Sequence, residues 1–179
     1  MIIQFDKLLK INHSPPEKLK SWLNHNSSLT EKLKTLSGEA ELQVLKQSWT
    51  LPNWWDKFTL GLAALPVIHR DILMHSCKIP CWFARTIIPN DSYQANRSFF
   101  DRLEQESLGS IVFNEPNIKR IVLHHYAIDE FCLEYYWLPV ALQQSTIPFW
   151  TRFSIFSFPD GTCFCLVEIL LPGLMSVVK

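Results

Sequence analysis

The chain has 179 residues, 47% of them hydrophobic and 19% charged, with seventeen basic side chains balanced by seventeen acidic ones. That length is ordinarily one domain with a sizeable core, and the composition excludes a disordered chain. A nucleic-acid partner calls for a basic surplus or a basic stripe; neither is present, so the expected partner is a small molecule.

Helical signals come first along the chain. Ser14 followed by Pro15 and Pro16 reads as a helix start that carries Leu19, Trp22 and Leu23 inward. Ser28 with Glu31 three residues on fits a capping box, and that second helix should end near Gly38. Residues 39–49 alternate loosely, as a strand would. Residues 52–66 form an aromatic-rich connection, with a short helix expected around Trp54, Trp55 and Phe58. Strands are expected over 67–76 and 81–88, with Lys78, Ile79 and Pro80 turning the chain between them, and a helix over 92–105.

From Leu108 onward the pattern is mostly strand, in 118–128, 131–138 and 149–158. Pro159, Asp160 and Gly161 then form a turn in which glycine takes positive φ. Residues 162–171 return as the partner strand. Strands joined by tight turns are antiparallel, so helices early and strands late predict an α+β fold. The expected architecture is a single antiparallel sheet with helices on one face, in one domain over 1–179.

The apolar stretch 163–178 is interrupted by Glu168 and Pro172, short of the roughly 20 residues a spanning helix needs. Residues 1–10 are too short and too mixed for a signal peptide, and the expected location is the cytoplasm. The five cysteines are Cys77, Cys81, Cys132, Cys163 and Cys165. Cys77 and Cys81 lack the second pair that a zinc site needs, so reduced thiols and no metal are expected. No G-x-G-x-x-G, P-loop, G-x-S-x-G or H-E-x-x-H motif occurs. His124 and His125 are adjacent in a strand and point to opposite faces, which suits structural roles better than a shared metal.

The informative residues are charges inside apolar strands. Period two puts Arg70 on one face with Ile68, Ile72 and Met74, and puts His69 on the other. It groups Arg85 with Cys81, Phe83 and Ile87, and Glu168 with Phe164, Leu166 and Leu170. An unpaired ion in a core costs several kcal/mol or more, roughly. Such groups therefore pair with each other, emerge at the sheet rim, or bind something. In the first two cases Arg70 and Glu168 form an internal salt bridge or reach solvent. In the third, arginine offers a planar fork to a ligand carboxylate and glutamate meets a hydroxyl, with apolar side chains against a ring.

Five segments resemble, in order, bacterial chorismate pyruvate-lyases. They are Trp22-Leu23 with Ser27-Ser28-Leu29-Thr30 to Leu33; Arg70-Asp71-Ile72-Leu73; Trp82-Phe83-Ala84-Arg85-Thr86-Ile87-Ile88-Pro89; Ser107-Leu108-Gly109-Ser110-Ile111-Val112-Phe113; and Leu166-Val167-Glu168-Ile169-Leu170-Leu171-Pro172. Each motif is short, but their shared order covers most of the chain. The resemblance implies an antiparallel sheet with helical flaps over a buried ligand. It implies conversion of chorismate to 4-hydroxybenzoate and pyruvate, the first step toward ubiquinone, without metal or organic cofactor. It places Arg70 on the ring carboxylate, Glu168 on the ring hydroxyl, Leu108 in a backbone contact and Leu29 in the lid. Arg85 is a further candidate, for the enolpyruvyl carboxylate. The reacting residues would be Arg70 and Glu168.

Residues 118–149 depart from the family pattern, being longer and poorer in basic residues. The alternative is a non-catalytic sensor for a small aromatic acid on the same fold. A DNA-binding regulator is disfavoured, since the residues before Val67 hold no basic recognition helix. A monomer is expected.

Overall fold

The computed structural model describes residues 14–104, 106–143 and 147–178. Helix α1 (Glu17–Leu23) starts after Pro16 and buries Trp22 and Leu23. Helix α2 (Leu29–Ser37) is capped by Ser28, whose Oγ accepts from the Glu31 N–H, and it ends at Gly38 in the left-handed conformation. Strand β1 (Glu41–Thr50) follows, then α3 (Trp54–Leu60), which a full capping box between Asn53 and Asp56 opens.

Strands β2 (Val67–Ser76) and β3 (Ile79–Pro89) form a hairpin. Its turn is Cys77-Lys78, earlier than the proline suggested, and both residues have positive φ. The helix expected over 92–105 is broken into α4 (Asn90–Ala95), α5 (Arg97–Asp101) and a 3₁₀ turn at Arg102–Glu104; Gln105 lies outside the described residues. The break falls at Asn96, whose side-chain amide reaches the Ser92 carbonyl, Asp160 and Thr162. Residues 108–112, expected as the start of the strand region, form helix α6 (Leu108–Val112), capped by Ser107.

Strands β4 (Lys119–Ile128), β5 (Phe149–Ser157) and β6 (Cys163–Leu170) complete the sheet, and α7 (Gly173–Val177) closes it. The expected strand over 131–138 is instead a 3₁₀ turn at Leu133–Trp137, followed by another at Val140–Leu142. Its aromatic residues pack onto a sheet rather than joining one: Trp137 lies edge-on to Trp55, and Tyr135 against Phe149.

The sheet is six-stranded and antiparallel in the order β1-β2-β3-β6-β5-β4. One face carries a core of Leu73, Phe83, Ile87, Phe153 and Val167, covered by α3 and the residues from Cys132 to Leu142. The other face carries the remaining helices, and its core is divided. Trp22, Leu33, Met74 and Trp82 form one cluster, and Ile68, Phe100, Ile111, Phe156 and Phe164 another. The strip of sheet between these clusters is where the strands place their charges. Among the described residues no helix is long and apolar enough to cross a membrane.

Candidate functional site

Between the two clusters lies a pocket of about 470 Å³, including its mouth. Its floor is set by sheet register. One row of partners runs Arg70, Thr86, Leu166, Ser154 across β2, β3, β6 and β5; the next runs Ile72, Ala84, Glu168, Arg152. Arg70 and Glu168 thus share a face and stand two strands and one row apart, roughly 12 Å between Cα atoms.

The pocket's roof is made by two helix starts. Leu29 and Thr30 open α2, and Leu108 and Gly109 open α6; all four line the space. The two starts approach closely. A Cβ on Gly109 would lie 2.8 Å from the Ser28 Oγ, so a larger residue would push that hydroxyl aside.

Arg70 is 1% exposed. Its Nη2 donates to the Leu103 carbonyl at 3.1 Å, while its buried Nε has no partner. Burial holds this guanidinium below its ordinary pKa. Glu168 does not pair with Arg70. It faces Arg152 on β5, whose Nη1 lies 3.3 Å from the carboxylate but outside hydrogen-bond alignment. Arg152, also 1% exposed, donates from Nη2 to the carbonyl of His25 at 2.8 Å.

Arg120 on β4 donates to that same carbonyl at 3.2 Å. Its guanidinium stands over the rings of Phe113 and Phe156, at 4.9 and 5.2 Å. Burial first, and Arg152 second, push the Arg120 pKa down to about 10, against the attraction of Glu168. Arginine as a residue type keeps its charge at neutral pH. With one glutamate among three arginines, the lining holds an excess of two positive charges. Burying that excess is unfavourable by itself and favours an anionic guest.

Of the five residues singled out in the sequence, Arg70, Glu168, Leu29 and Leu108 meet at this pocket. Arg85 does not. Period two sends it to the opposite face, where it grips Asp71 with both Nε and Nη2 at 2.7 Å and lies 4.4 Å from the Trp137 ring. That placement removes Arg85 as a candidate for a second ligand carboxylate. His69 lies on that opposite face too, bonded to the buried Asp56 at 3.0 Å.

Two further arginines, Arg152 and Arg120, line the pocket beside those singled out. Arg152 is legible in the sequence in the same way as Arg70, since Trp150, Arg152, Ser154 and Phe156 share a face of an apolar strand. Arg120 is not, because a bulge between Arg120 and Val122 breaks the alternation.

Fold and pocket together define a class: an antiparallel α+β sheet that closes a buried cationic cavity under two helix starts. The comparisons with known proteins narrow it. The chain matches the model of the chorismate lyase family over residues 8–137, and it belongs to that family. A probable chorismate pyruvate-lyase of Aromatoleum aromaticum is 26% identical over 165 residues, covering 90% of this chain and 89% of the relative. Proteins of the same name from Pseudoalteromonas atlantica and Pseudomonas syringae are 28% and 29% identical, covering 88% and 94% of this chain and 81% and 88% of their own lengths.

Among solved structures, a GntR-family transcriptional regulator from Bacillus cereus aligns with a TM-score of 0.53 at 16% identity, over 74% of this chain and 92% of the other. The effector domain of PhnF from Mycobacterium smegmatis aligns with a TM-score of 0.53 at 14% identity, over 82% and 89%. At those identities the likeness is one of fold alone.

Proposed function

We propose that this protein converts chorismate to 4-hydroxybenzoate and pyruvate, the aromatic product serving ubiquinone synthesis as the family resemblance implies. One observation carries the reading: Arg70, buried with an unpartnered Nε, and Glu168 share the floor of a roofed apolar slot. The Arg70 fork holds the ring carboxylate. Glu168 accepts from the ring hydroxyl at the other end. Leu29 and Leu108 from above, and Ile72 and Leu166 from the sheet, hold the ring between them.

The chemistry is unimolecular. The ring hydrogen on the hydroxyl-bearing carbon passes to the enolpyruvyl methylene as the ether C–O bond breaks. The fragment leaves as pyruvate and the ring becomes aromatic. Every atom of chorismate is accounted for in the two products, and no oxidant or reductant is consumed. The protein's task is to hold the reactive conformer, exclude water and stabilise charge on the departing oxygen. The guanidinium groups of Arg152 and Arg120 lie beside Glu168, where that charge develops.

The test is to mix purified protein with chorismate and follow both products. Equal formation of 4-hydroxybenzoate and pyruvate, lost in Arg70→Ala and in Glu168→Ala, is the expected result. Activity surviving in both variants overturns these roles. A melting temperature raised by 4-hydroxybenzoate without any turnover would identify a binder and overturn the lyase reading.

A further inference from the structure

The α1–α2 connection is tied to the sheet through one backbone atom. The His25 carbonyl oxygen accepts from Arg152 Nη2 at 2.8 Å and from Arg120 Nη1 at 3.2 Å. The same two side chains leave buried donors unused. Arg152 Nε and Nη1 and Arg120 Nε have no hydrogen-bond partner, nor has the Oγ of Ser154, two residues along β5 on the same face. A neutral carbonyl is a poor match for two buried guanidinium groups, because charge-assisted bonds to a carboxylate are roughly twice as strong. Arg120 also stands over Phe113, at the end of α6, so one cation touches both parts of the roof.

We propose that Arg120 and Arg152, with Ser154, form a second anion subsite, and that a carboxylate entering it takes the place of the His25 carbonyl and frees the α1–α2 connection from the sheet at that point. This rests on the reading of Arg70 and Glu168 given above, which supplies the first subsite. The occupant is the side-chain carboxylate of an aromatic or cyclohexadiene dicarboxylic acid, joined through an ether at the ring. A dianion matches the excess of two positive charges in the lining. Substrate and product then act differently on the α1–α2 connection. The dicarboxylate substrate fills both subsites and frees the α1–α2 connection at His25, while Leu29 and Leu108 stay over the ring. A monocarboxylate product leaves the second subsite to the His25 carbonyl, and the connection stays tied to the sheet.

Two stable probes separate the subsites: 4-hydroxybenzoate, with one carboxylate, and 3-(carboxymethoxy)-4-hydroxybenzoate, which keeps the ring hydroxyl and carries a second carboxylate on an ether arm beside it. Calorimetric titration of wild type and of Arg120→Gln is the first measurement. The expected result is a loss of about 10-fold or more for the dicarboxylate in the variant, the size of one charge-assisted hydrogen bond, with a clearly smaller loss for 4-hydroxybenzoate, which meets Arg120 only through the net charge of the lining. Hydrogen exchange at residues 24–27 is the second. The dicarboxylate should speed exchange there and 4-hydroxybenzoate should slow it. If 4-hydroxybenzoate binds wild type but both probes weaken equally in Arg120→Gln, or both slow exchange alike, the second subsite is overturned while the first stands. If neither probe binds wild type, the reading of the first subsite fails and the second falls with it.

Discussion

Arg85 and Asp71 face each other across β2 and β3 and are joined by two bonds of 2.7 Å, Nε to one carboxylate oxygen and Nη2 to the other. The pair is nearly buried, under the Trp137 ring, on the side of the sheet away from the pocket. Removing one member of such a pair strands the other charge, at a cost of about 3 kcal/mol. Arg85→Ala should therefore lower the melting temperature while leaving KM for chorismate unchanged in the protein that remains folded. A raised KM at unchanged stability would return Arg85 to the site.

Gly109→Ala tests the contact between the two helix starts. The new methyl would press on the Ser28 Oγ, which must then leave the Glu31 N–H that it caps. Loss of an N-cap costs about 1 kcal/mol, and the roof is displaced at the same point. Both a lower melting temperature and a faster dissociation of 4-hydroxybenzoate are expected, read by thermal denaturation and by stopped-flow fluorescence. Unchanged dissociation would show that the contact does not govern release.

The β2–β3 turn carries an avoidable cost. Cys77 and Lys78 have φ of 50° and 62°, the signs that a two-residue turn of this kind demands and that glycine or asparagine supplies more cheaply. A left-handed non-glycine residue costs about 1–2 kcal/mol, and glycine's extra chain entropy takes back about 0.5–1. Lys78→Gly should thus stabilise the protein by about 0.5–1 kcal/mol, seen as a higher denaturation midpoint without loss of activity. Cys77 is better left, since its N–H donates to the Glu39 carboxylate.

His25 links stability to pH. Burial, then Lys32, Arg152 and Arg120, lower its pKa from the ordinary 6.5. A base whose folded pKa is lowered binds fewer protons folded than unfolded, so stability falls as pH drops below 6.5 and the deficit is complete below the folded pKa. His25→Gln should flatten the stability curve in that acidic window and leave the neutral region unchanged, as measured by denaturant titration at a series of pH values. An identical slope in the variant would place the acid sensitivity elsewhere.

The elements whose signal is local were legible along the chain. Ser28 and Glu31 announced α2, Gly38 its end, and Pro159 to Gly161 the β5–β6 turn. So was the first half of the site, because Arg70 and Glu168 each interrupt an apolar face at strand period. Residues 131–138 misled for a physical reason. Aromatic and β-branched residues favour any half-buried surface. Cys132, Tyr135, Trp137 and Leu138 found theirs by capping a finished sheet.

Alternation along each strand determined which face a side chain takes, and with it that Arg70 and Glu168 were out of place among apolar neighbours. Only the tertiary structure decided what those charges meet. Strand order put β5 beside β6, so Glu168 faces Arg152 rather than Arg70. One bulge, at Ile121, turned Arg120 off the face its strand period assigns and toward the pocket, since an extra residue on one strand reverses every side chain beyond it.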